Sequence, residues 1–214
     1  MLMEVRFQNS PNETSEMNTQ QLRSNFLFTE VMTDDTINLL YTHYDRMIIG
    51  GIKPVNNVVD LPNPPELRAN YFLERREIGI INVGGDGKVQ AGKDHFSLNK
   101  MDCLYIGKGV ENVTFSSADA KAPALFYILS SPAHQQYPTR LLTKKEVPPV
   151  NLGEVATANQ RTIYKYIHAQ GIPSCQLVMG LTVLATGSVW NTMPAHTHFR
   201  TINSSGRATL TSYL

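Results

Sequence analysis

The chain is built from short runs of apolar residues separated by Gly, Pro and Asn, a pattern typical of antiparallel β-proteins. Helical periodicity is weak and is confined to residues 18–23, which follow a polar N-terminal segment. The pattern predicts a β-barrel or β-sandwich, with residues 37–129 forming a complete barrel. The predicted strands are residues 37–44, 47–52, 77–83, 88–91, 94–98, 102–106, 113–116 and 124–129.

The second part of the chain repeats this rhythm after a segment rich in proline. Residues 132–149 contain four prolines and are interpreted as a linker with a short turn at 144–146. Further strands are predicted at 159–166 and 176–182, and 188–190 lead into a pair of histidines. We therefore divide the chain into a first β-barrel with its N-terminal region, 1–140, and the start of a second barrel, 141–214. The glycine-dense segment 84–87 is predicted to form a tight hairpin with positive φ angles.

Composition narrows the class of partner. The 214 residues are 42% hydrophobic and carry a formal net charge of +1, with Lys and Arg scattered along the chain. This distribution gives no electrostatic footprint for nucleic acid or a membrane surface, so a small polar solute is the expected partner. With neither a signal-peptide core nor a membrane-length apolar run, the chain is expected to be cytoplasmic. Cys103 and Cys175 are far apart and are expected to be buried free thiols.

His196 and His198 form a His-x-His pair near the end of the sequence. In a β-strand both imidazoles would point to the same side and could bind one metal ion. Two ligands do not complete a zinc site, which needs three or four. From the spacing alone, metal ligands and solvated loop residues are equally good interpretations.

Several longer motifs carry a more specific resemblance. They are YFLERRE with GIINVGG (71–77 and 79–85), DCLYIGKG (102–109), SPAH (131–134) and WNTMPAHTH (190–198). Together they resemble the 5-keto-4-deoxyuronate isomerase family of two-barrel cupins, over about residues 19–198. The resemblance implies all-β cupin-like jelly-roll barrels, a bicupin whose second barrel is incomplete here.

The resemblance also implies an activity and an assembly. The family interconverts 5-dehydro-4-deoxy-D-glucuronate and 3-deoxy-D-glycero-2,5-hexodiulosonate in pectin and uronate breakdown, assembles as a homohexamer, and binds zinc through two His, a Glu and a later His. His196 and His198 match the first two ligands. Asn203 stands where the family has its Glu, and a later His would fall beyond Leu214. The metal site is therefore expected to be incomplete, with weak zinc binding and little activity.

The segment 199–214 contains no Asp, Glu or His. Two explanations are open: a frameshift, truncation or shortened record, which we favour, or a native short form whose residues 207–214 make a closing strand. The general base is not identified. The substrate carboxylate requires Arg or Lys, and six candidates are available: Arg46, Arg75, Arg76, Lys108, Arg161 and Lys165.

The remaining charged motif is Glu74-Arg75-Arg76-Glu77, interpreted as a carboxylate–guanidinium network that fixes a subunit contact. His43 and His95 are expected to be hydrogen-bonded or surface residues. Three functional hypotheses stay open: a ketol-isomerase, a metal-independent sugar-binding or regulatory cupin, and a structural subunit without a site.

Overall fold

The computed structural model describes residues 3–189, and the fold is mostly β-sheet. Two short helices come early, α1 (Pro11–Ser15) and α2 (Thr19–Phe26), and α2 confirms the predicted helical segment. Asn18 caps α2 by accepting a hydrogen bond from the backbone of Gln21, whose side chain bonds back to the Asn18 N–H. No helix within residues 3–189 is long and apolar enough to span a membrane.

A seven-stranded sheet forms the centre of the molecule, in the order β1-β2-β3-β10-β5-β8-β11. All its pairs are antiparallel except β1 with β2. Its strands are β1 (Glu4–Arg6), β2 (Ile37–Thr42), β3 (Ile48–Ile52), β5 (Arg76–Asn82), β8 (Cys103–Ile106), β10 (Phe126–Pro132) and β11 (Arg140–Leu142).

A four-stranded sheet in the order β4-β9-β6-β7 provides the second layer. It consists of β4 (Val59–Asp60), β6 (Gly87–Ala91), β7 (Asp94–Leu98) and β9 (Val113–Ser117). One buried cluster contains residues of both sheets, among them Ile78, Ile80, Val89, Phe115 and Ile128. The two sheets therefore enclose a common hydrophobic core, as expected for a jelly-roll-like sandwich.

A three-stranded antiparallel sheet packs on the outer face of the seven-stranded sheet. It consists of β12 (Val150–Leu152), β13 (Arg161–Ile167) and β14 (Met179–Leu184). A second buried cluster joins Ile81 and Tyr105 of the large sheet to Tyr166, Ile167 and Met179. Because β5 is covered on both faces, all seven of its residues are buried.

Close approach of this third sheet depends on Gly79 in β5. A Cβ atom there would lie 2.6 Å from Sδ of Met179 and 2.7 Å from Cδ1 of Ile167. Any larger residue would push the third sheet away from the central one.

The predicted antiparallel β fold is confirmed, and eight predicted strands of the first half correspond to β2, β3, β5, β6, β7, β8, β9 and β10. The predicted strands at 159–166 and 176–182 correspond to β13 and β14. The short turn at 144–146 is present as the 3-10 helix Lys144–Glu146. The linker interpretation of 132–149 is wrong in one part, because β11 within it pairs with β8.

The prediction of a hairpin at residues 84–87 is wrong. The segment connects β5 to β6, which belong to different sheets, and none of its glycines has a positive φ. The glycines are needed for close contact instead, since a Cβ on Gly85 would overlap the backbone oxygen of Ala122. The tight hairpin lies at Gly92, which has a φ of +61° between the paired strands β6 and β7.

Candidate functional site

Arg76 is a buried cation at one end of the first core. Its side chain is 7% exposed and shares a face of β5 with Ile78 and Ile80, so it points into the space between the two sheets. Nε donates to Oγ of Ser130 (3.1 Å), and Nη2 donates to the backbone oxygens of Ser130 (2.8 Å) and Arg46 (2.7 Å). These bonds fix the guanidinium in place.

The pKa of Arg76 is lowered to about 10, mainly because the guanidinium is buried and also because of the positive charge of Arg46, while Tyr41 opposes the shift. The guanidinium lies over the ring of Tyr41, 6.0 Å from its centroid. The described part of the chain provides no carboxylate in an ion pair with Arg76. A buried cation without an anion is costly, and binding of an anion would relieve that cost.

Arg76 lines a cleft of about 190 Å³. The cleft also presents Arg46 and Arg75, whose side chains belong to exposed residues, and one carboxylate, Glu66. Its other walls are largely apolar and consist of Tyr41, Leu67, Ala69, Phe72 and Pro132. The arrangement is a small cationic depression with an apolar floor.

Three of the six predicted carboxylate-binding cations therefore lie together in this cleft, and three do not. Lys108, Arg161 and Lys165 are not among its lining residues. Arg161 is buried at the start of β13, and its Nε has no hydrogen-bond partner within the described residues. Lys165 is exposed in the same strand.

Glu77, the neighbour of Arg76, points to the opposite face of β5 and is fully buried there (0% exposed). Oε1 accepts hydrogen bonds from Ser131 Oγ (3.1 Å) and from the backbone N–H groups of Gln176 and Leu177 (both 2.7 Å). Oε2 accepts from the Tyr105 hydroxyl (2.6 Å) and from the N–H of Cys175 (2.8 Å). Five donors thus stabilise the carboxylate, and no cation of residues 3–189 forms an ion pair with it.

The strand register explains two of these donors. Ser131 is directly opposite Glu77 in the β10–β5 pair, and Tyr105 is opposite Gly79 in the β5–β8 pair. All three side chains lie on the outer face of the sheet. The pKa of Tyr105 is raised by burial first and by the hydrogen bond to Glu77 second, so the phenol stays protonated as a donor.

Residues 74–77 form no carboxylate–guanidinium pair with one another, and the subunit contact expected of them stays a prediction. Glu74 accepts from the backbone N–H of Asn70, and Arg75 donates to the backbone oxygens of Leu67 and Arg68. Arg76 and Glu77 cannot pair because consecutive strand residues face opposite sides of a sheet.

A Cys–His pair lies beside Glu77 and was not predicted. The Cys175 Sγ lies 3.1 Å from Nδ1 of His134, and the His134 backbone N–H donates to the same sulfur (3.3 Å). Forty-one residues separate the two in sequence, and neither belongs to a recognisable nucleophile motif. In the sequence, His134 was noted only as part of the SPAH segment, and no sequence pattern pointed to Cys175 as its partner.

The predicted metal ligands His196 and His198 lie outside the described residues. Within residues 3–189, no three His, Cys, Asp or Glu side chains are grouped so that they could hold a metal ion. His43 and His95 are exposed, as predicted, and His43 stacks on Phe7 with ring centroids 4.6 Å apart. The described residues therefore do not supply a zinc site, and no reaction step is assigned to a metal here.

The model of the KduI/IolB family matches residues 28–209, and so extends beyond His198. A 4-deoxy-L-threo-5-hexosulose-uronate ketol-isomerase of Halalkalibacterium halodurans is 49% identical over 198 residues, which cover 92% of this chain and 72% of that protein. The protein of the same name from Formosa agariphila is 48% identical over 197 residues, with 92% of this chain and 70% of the relative covered.

Among solved structures, an IolB-like protein from Salmonella typhimurium LT2 aligns with a TM-score of 0.42 and 18% identity, over 56% of this chain and 43% of that one. The family match covers most of the sequence, and the similar curated relatives are named as isomerases. The predicted resemblance is thereby confirmed: the chain belongs to the KduI/IolB family and to its isomerase class.

Proposed function

We propose that the chain is a ketol-isomerase that interconverts 5-dehydro-4-deoxy-D-glucuronate and 3-deoxy-D-glycero-2,5-hexodiulosonate in pectin and uronate breakdown in the cytoplasm. The observation that carries this proposal is the 49% identity over 198 residues with a relative named for this type of reaction. Moving the carbonyl by one carbon requires removal of a proton beside it, or a hydride shift, while negative charge develops on oxygen. No described residue is assigned as the base.

Zinc is the proposed cofactor, with His196 and His198 as two of its ligands. When bound, it would polarise the substrate carbonyl as a Lewis acid. Two neutral imidazoles with Asn203 in place of a carboxylate form a weak donor set for Zn²⁺. We therefore expect low zinc affinity and low turnover for this sequence.

We also propose a division into a first cupin barrel, 1–140, and the beginning of a second, 141–214, together with assembly as a homohexamer. Several large apolar side chains of the β12–β14 region are exposed and could be covered by other subunits, among them Leu152, Val155, Val183 and Leu184. Light scattering tests the assembly, and a monodisperse monomer would contradict it.

A non-catalytic sugar-binding cupin is the second candidate function. The cationic cleft at the end of the first core favours it, because three guanidinium groups line this cleft and could bind the carboxylate of a sugar acid. A purely structural subunit would bind no sugar acid at this cleft.

Turnover separates these functions. The purified chain is incubated with the keto-deoxyuronate in the presence of zinc, and formation of the ketose product is followed by NMR. We expect slow conversion that exceeds the rate without protein and is lost in the double variant His196→Gln/His198→Gln. Absence of any conversion by the unaltered chain would contradict the isomerase proposal for this sequence, and conversion unaffected by the double variant would contradict the role of the histidines.

A further inference from the structure

Arg76 has an unusual environment for a buried cation. It is held by three hydrogen bonds to neutral oxygens, of Ser130 and Arg46, and has no ion-pair partner among residues 3–189. Its other terminal nitrogen, Nη1, makes no hydrogen bond to the described residues. Buried charges in proteins are normally paired. The Arg76 guanidinium is therefore available to bind an anion that enters the cleft.

The cleft concentrates positive charge around that nitrogen. Arg46, Arg75 and Arg76 all line it, and the charge of Arg46 is close enough to lower the pKa of Arg76. No ion pair within the described residues neutralises any of the three. Three cations against the single carboxylate of Glu66 leave an excess of positive charge, and guanidinium groups match the planar geometry of a carboxylate.

Glu66 and the walls of the cleft narrow the choice of anion further. A carboxylate repels a bare anion but accepts hydrogen bonds from hydroxyl groups. Phe72 and Leu67 belong to the first core and offer an apolar surface for a carbon chain. A volume of about 190 Å³ is below the ~300 Å³ at which drug-sized pockets begin, so the ligand must be small.

The guanidinium of Arg76 is also positioned before any ligand arrives. Ser130 and the Arg46 backbone hold it in one orientation over the Tyr41 ring. A fixed donor loses little side-chain entropy on binding, which favours affinity.

From these observations we infer that the cleft is a binding site for a small hydroxy acid of the sugar-acid class, whose carboxylate is held by Arg76 and Arg46 and whose hydroxyl groups reach Glu66. The described residues that line the site belong to the first sandwich. Its occupancy is measured by binding and is therefore independent of whether the chain turns over the keto-deoxyuronate.

The test is isothermal titration calorimetry of the full chain at constant ionic strength with four probes: D-glucuronate, acetate, D-glucose and inorganic phosphate. We expect glucuronate to bind most tightly, at least tenfold tighter than acetate or phosphate, and glucose not to bind measurably. Arg46→Gln removes an exposed side chain that makes no hydrogen bond of its own in the described structure, so the fold should survive. We expect it to weaken glucuronate binding about tenfold.

Two further variants complete the design. Arg76→Lys keeps a positive charge but loses the planar guanidinium that can donate two parallel hydrogen bonds to a carboxylate, so glucuronate affinity should fall at least tenfold. Circular dichroism checks that this variant folds. Arg23→Gln removes an exposed arginine of α2 outside the cleft and should leave affinity unchanged. Binding that Arg23→Gln weakens as much as Arg46→Gln does would reveal nonspecific charge attraction and overturn the site. Glucuronate that fails to bind, or phosphate that binds more tightly than glucuronate, would overturn it as well.

Discussion

Asp35 accepts hydrogen bonds from three consecutive backbone N–H groups, those of Val55 (2.7 Å), Asn56 (2.9 Å) and Asn57 (3.0 Å). These bonds, led by that of Asn57, lower its pKa from 3.8 to about 2. A carboxyl group whose pKa is depressed by folding stabilises the fold above its unfolded value and loses that contribution as pH falls. The carboxylate thus fixes the loop after β3 at neutral pH.

We therefore expect Asp35→Asn to lower the melting temperature at pH 7, and the difference from wild type to shrink as pH falls from about 4 to 2. Asparagine tolerates the positive φ of 52° at this position, so the backbone itself should not be strained. Thermal unfolding followed by circular dichroism over this pH range measures the difference. Asp60→Asn, at an exposed position in β4, should show no such pH dependence; a difference for Asp35→Asn that is constant with pH would refute the explanation.

The two cysteines differ sharply in environment. Cys103 is fully buried, and burial raises the pKa of its thiol. Cys175 is only half-buried and its sulfur contacts Nδ1 of His134. The imidazole can accept the thiol proton as the sulfur attacks an electrophile.

Iodoacetamide should therefore label Cys175 in the folded protein and leave Cys103 unlabelled until denaturant is added. His134→Ala should slow labelling of Cys175 by roughly tenfold at neutral pH, because the proton acceptor is removed. Peptide mass spectrometry over a time course reads both sites. Equal labelling of the two cysteines in the folded state, or a rate unaffected by His134→Ala, would contradict the proposed environment.

Three backbone N–H groups of the loop that precedes β14 bind one carboxylate of the central sheet. Glu77 of β5 accepts the N–H groups of Cys175, Gln176 and Leu177, and thereby joins the third sheet to the sandwich. Glu77→Gln places an NH₂ group where donors already converge, so at least one buried donor loses its acceptor. We expect a loss of about 3 kcal/mol in the free energy of unfolding.

Urea denaturation measures this loss, and amide hydrogen exchange should show faster exchange at residues 175–177. Tyr105→Phe removes only one of the five donors and should cost about 1–2 kcal/mol. Glu111→Gln, at an exposed position, is the matched control and should be neutral. If Glu77→Gln were as stable as Glu111→Gln, the Glu77 carboxylate would not be needed to hold residues 175–177 against the central sheet.

The strands were predictable where apolar residues alternated with polar ones, or formed an unbroken run, over four or more positions. The prediction for 94–98, for example, coincides with β7. The three-residue β11 was missed because so short a segment shows no periodicity, and it exists only through its pairing with β8. The segment 84–87 was misassigned since glycine is equally compatible with positive φ and with close packing.

For the candidate sites too, the sequence identifies residue types but does not show which residues come together. The six cations could be named from the substrate class, but only the fold could bring Arg46, Arg75 and Arg76 into one cleft. Glu77 was visible as a carboxylate, yet one of its donors, Cys175, lies 98 residues away. Contacts at that separation depend on how the third sheet docks, which local patterns do not encode.

For the molecule as a whole, the proposed zinc site depends on His196 and His198, and by the family resemblance Asn203 stands where a Glu ligand is expected. If the proposed ligands are correct, Asn203→Glu, five residues after the second histidine, would add an anionic ligand to the two neutral imidazoles of His196 and His198. A carboxylate contributes both a coordination bond and charge that offsets the desolvation of Zn²⁺. We expect Asn203→Glu to raise zinc affinity at least tenfold and to increase turnover of the keto-deoxyuronate.

Zinc affinity is measured by competition with a chromogenic chelator, and turnover by NMR in parallel. Ser205→Glu adds the same charge two residues further along and should change neither quantity, which separates ligation from a general electrostatic effect. Near-stoichiometric zinc and full turnover in the unaltered chain would mean that other residues complete the site and that Asn203 is not the limiting position. Equal gains from both variants would show that charge near the histidines, rather than a ligand at 203, controls metal binding.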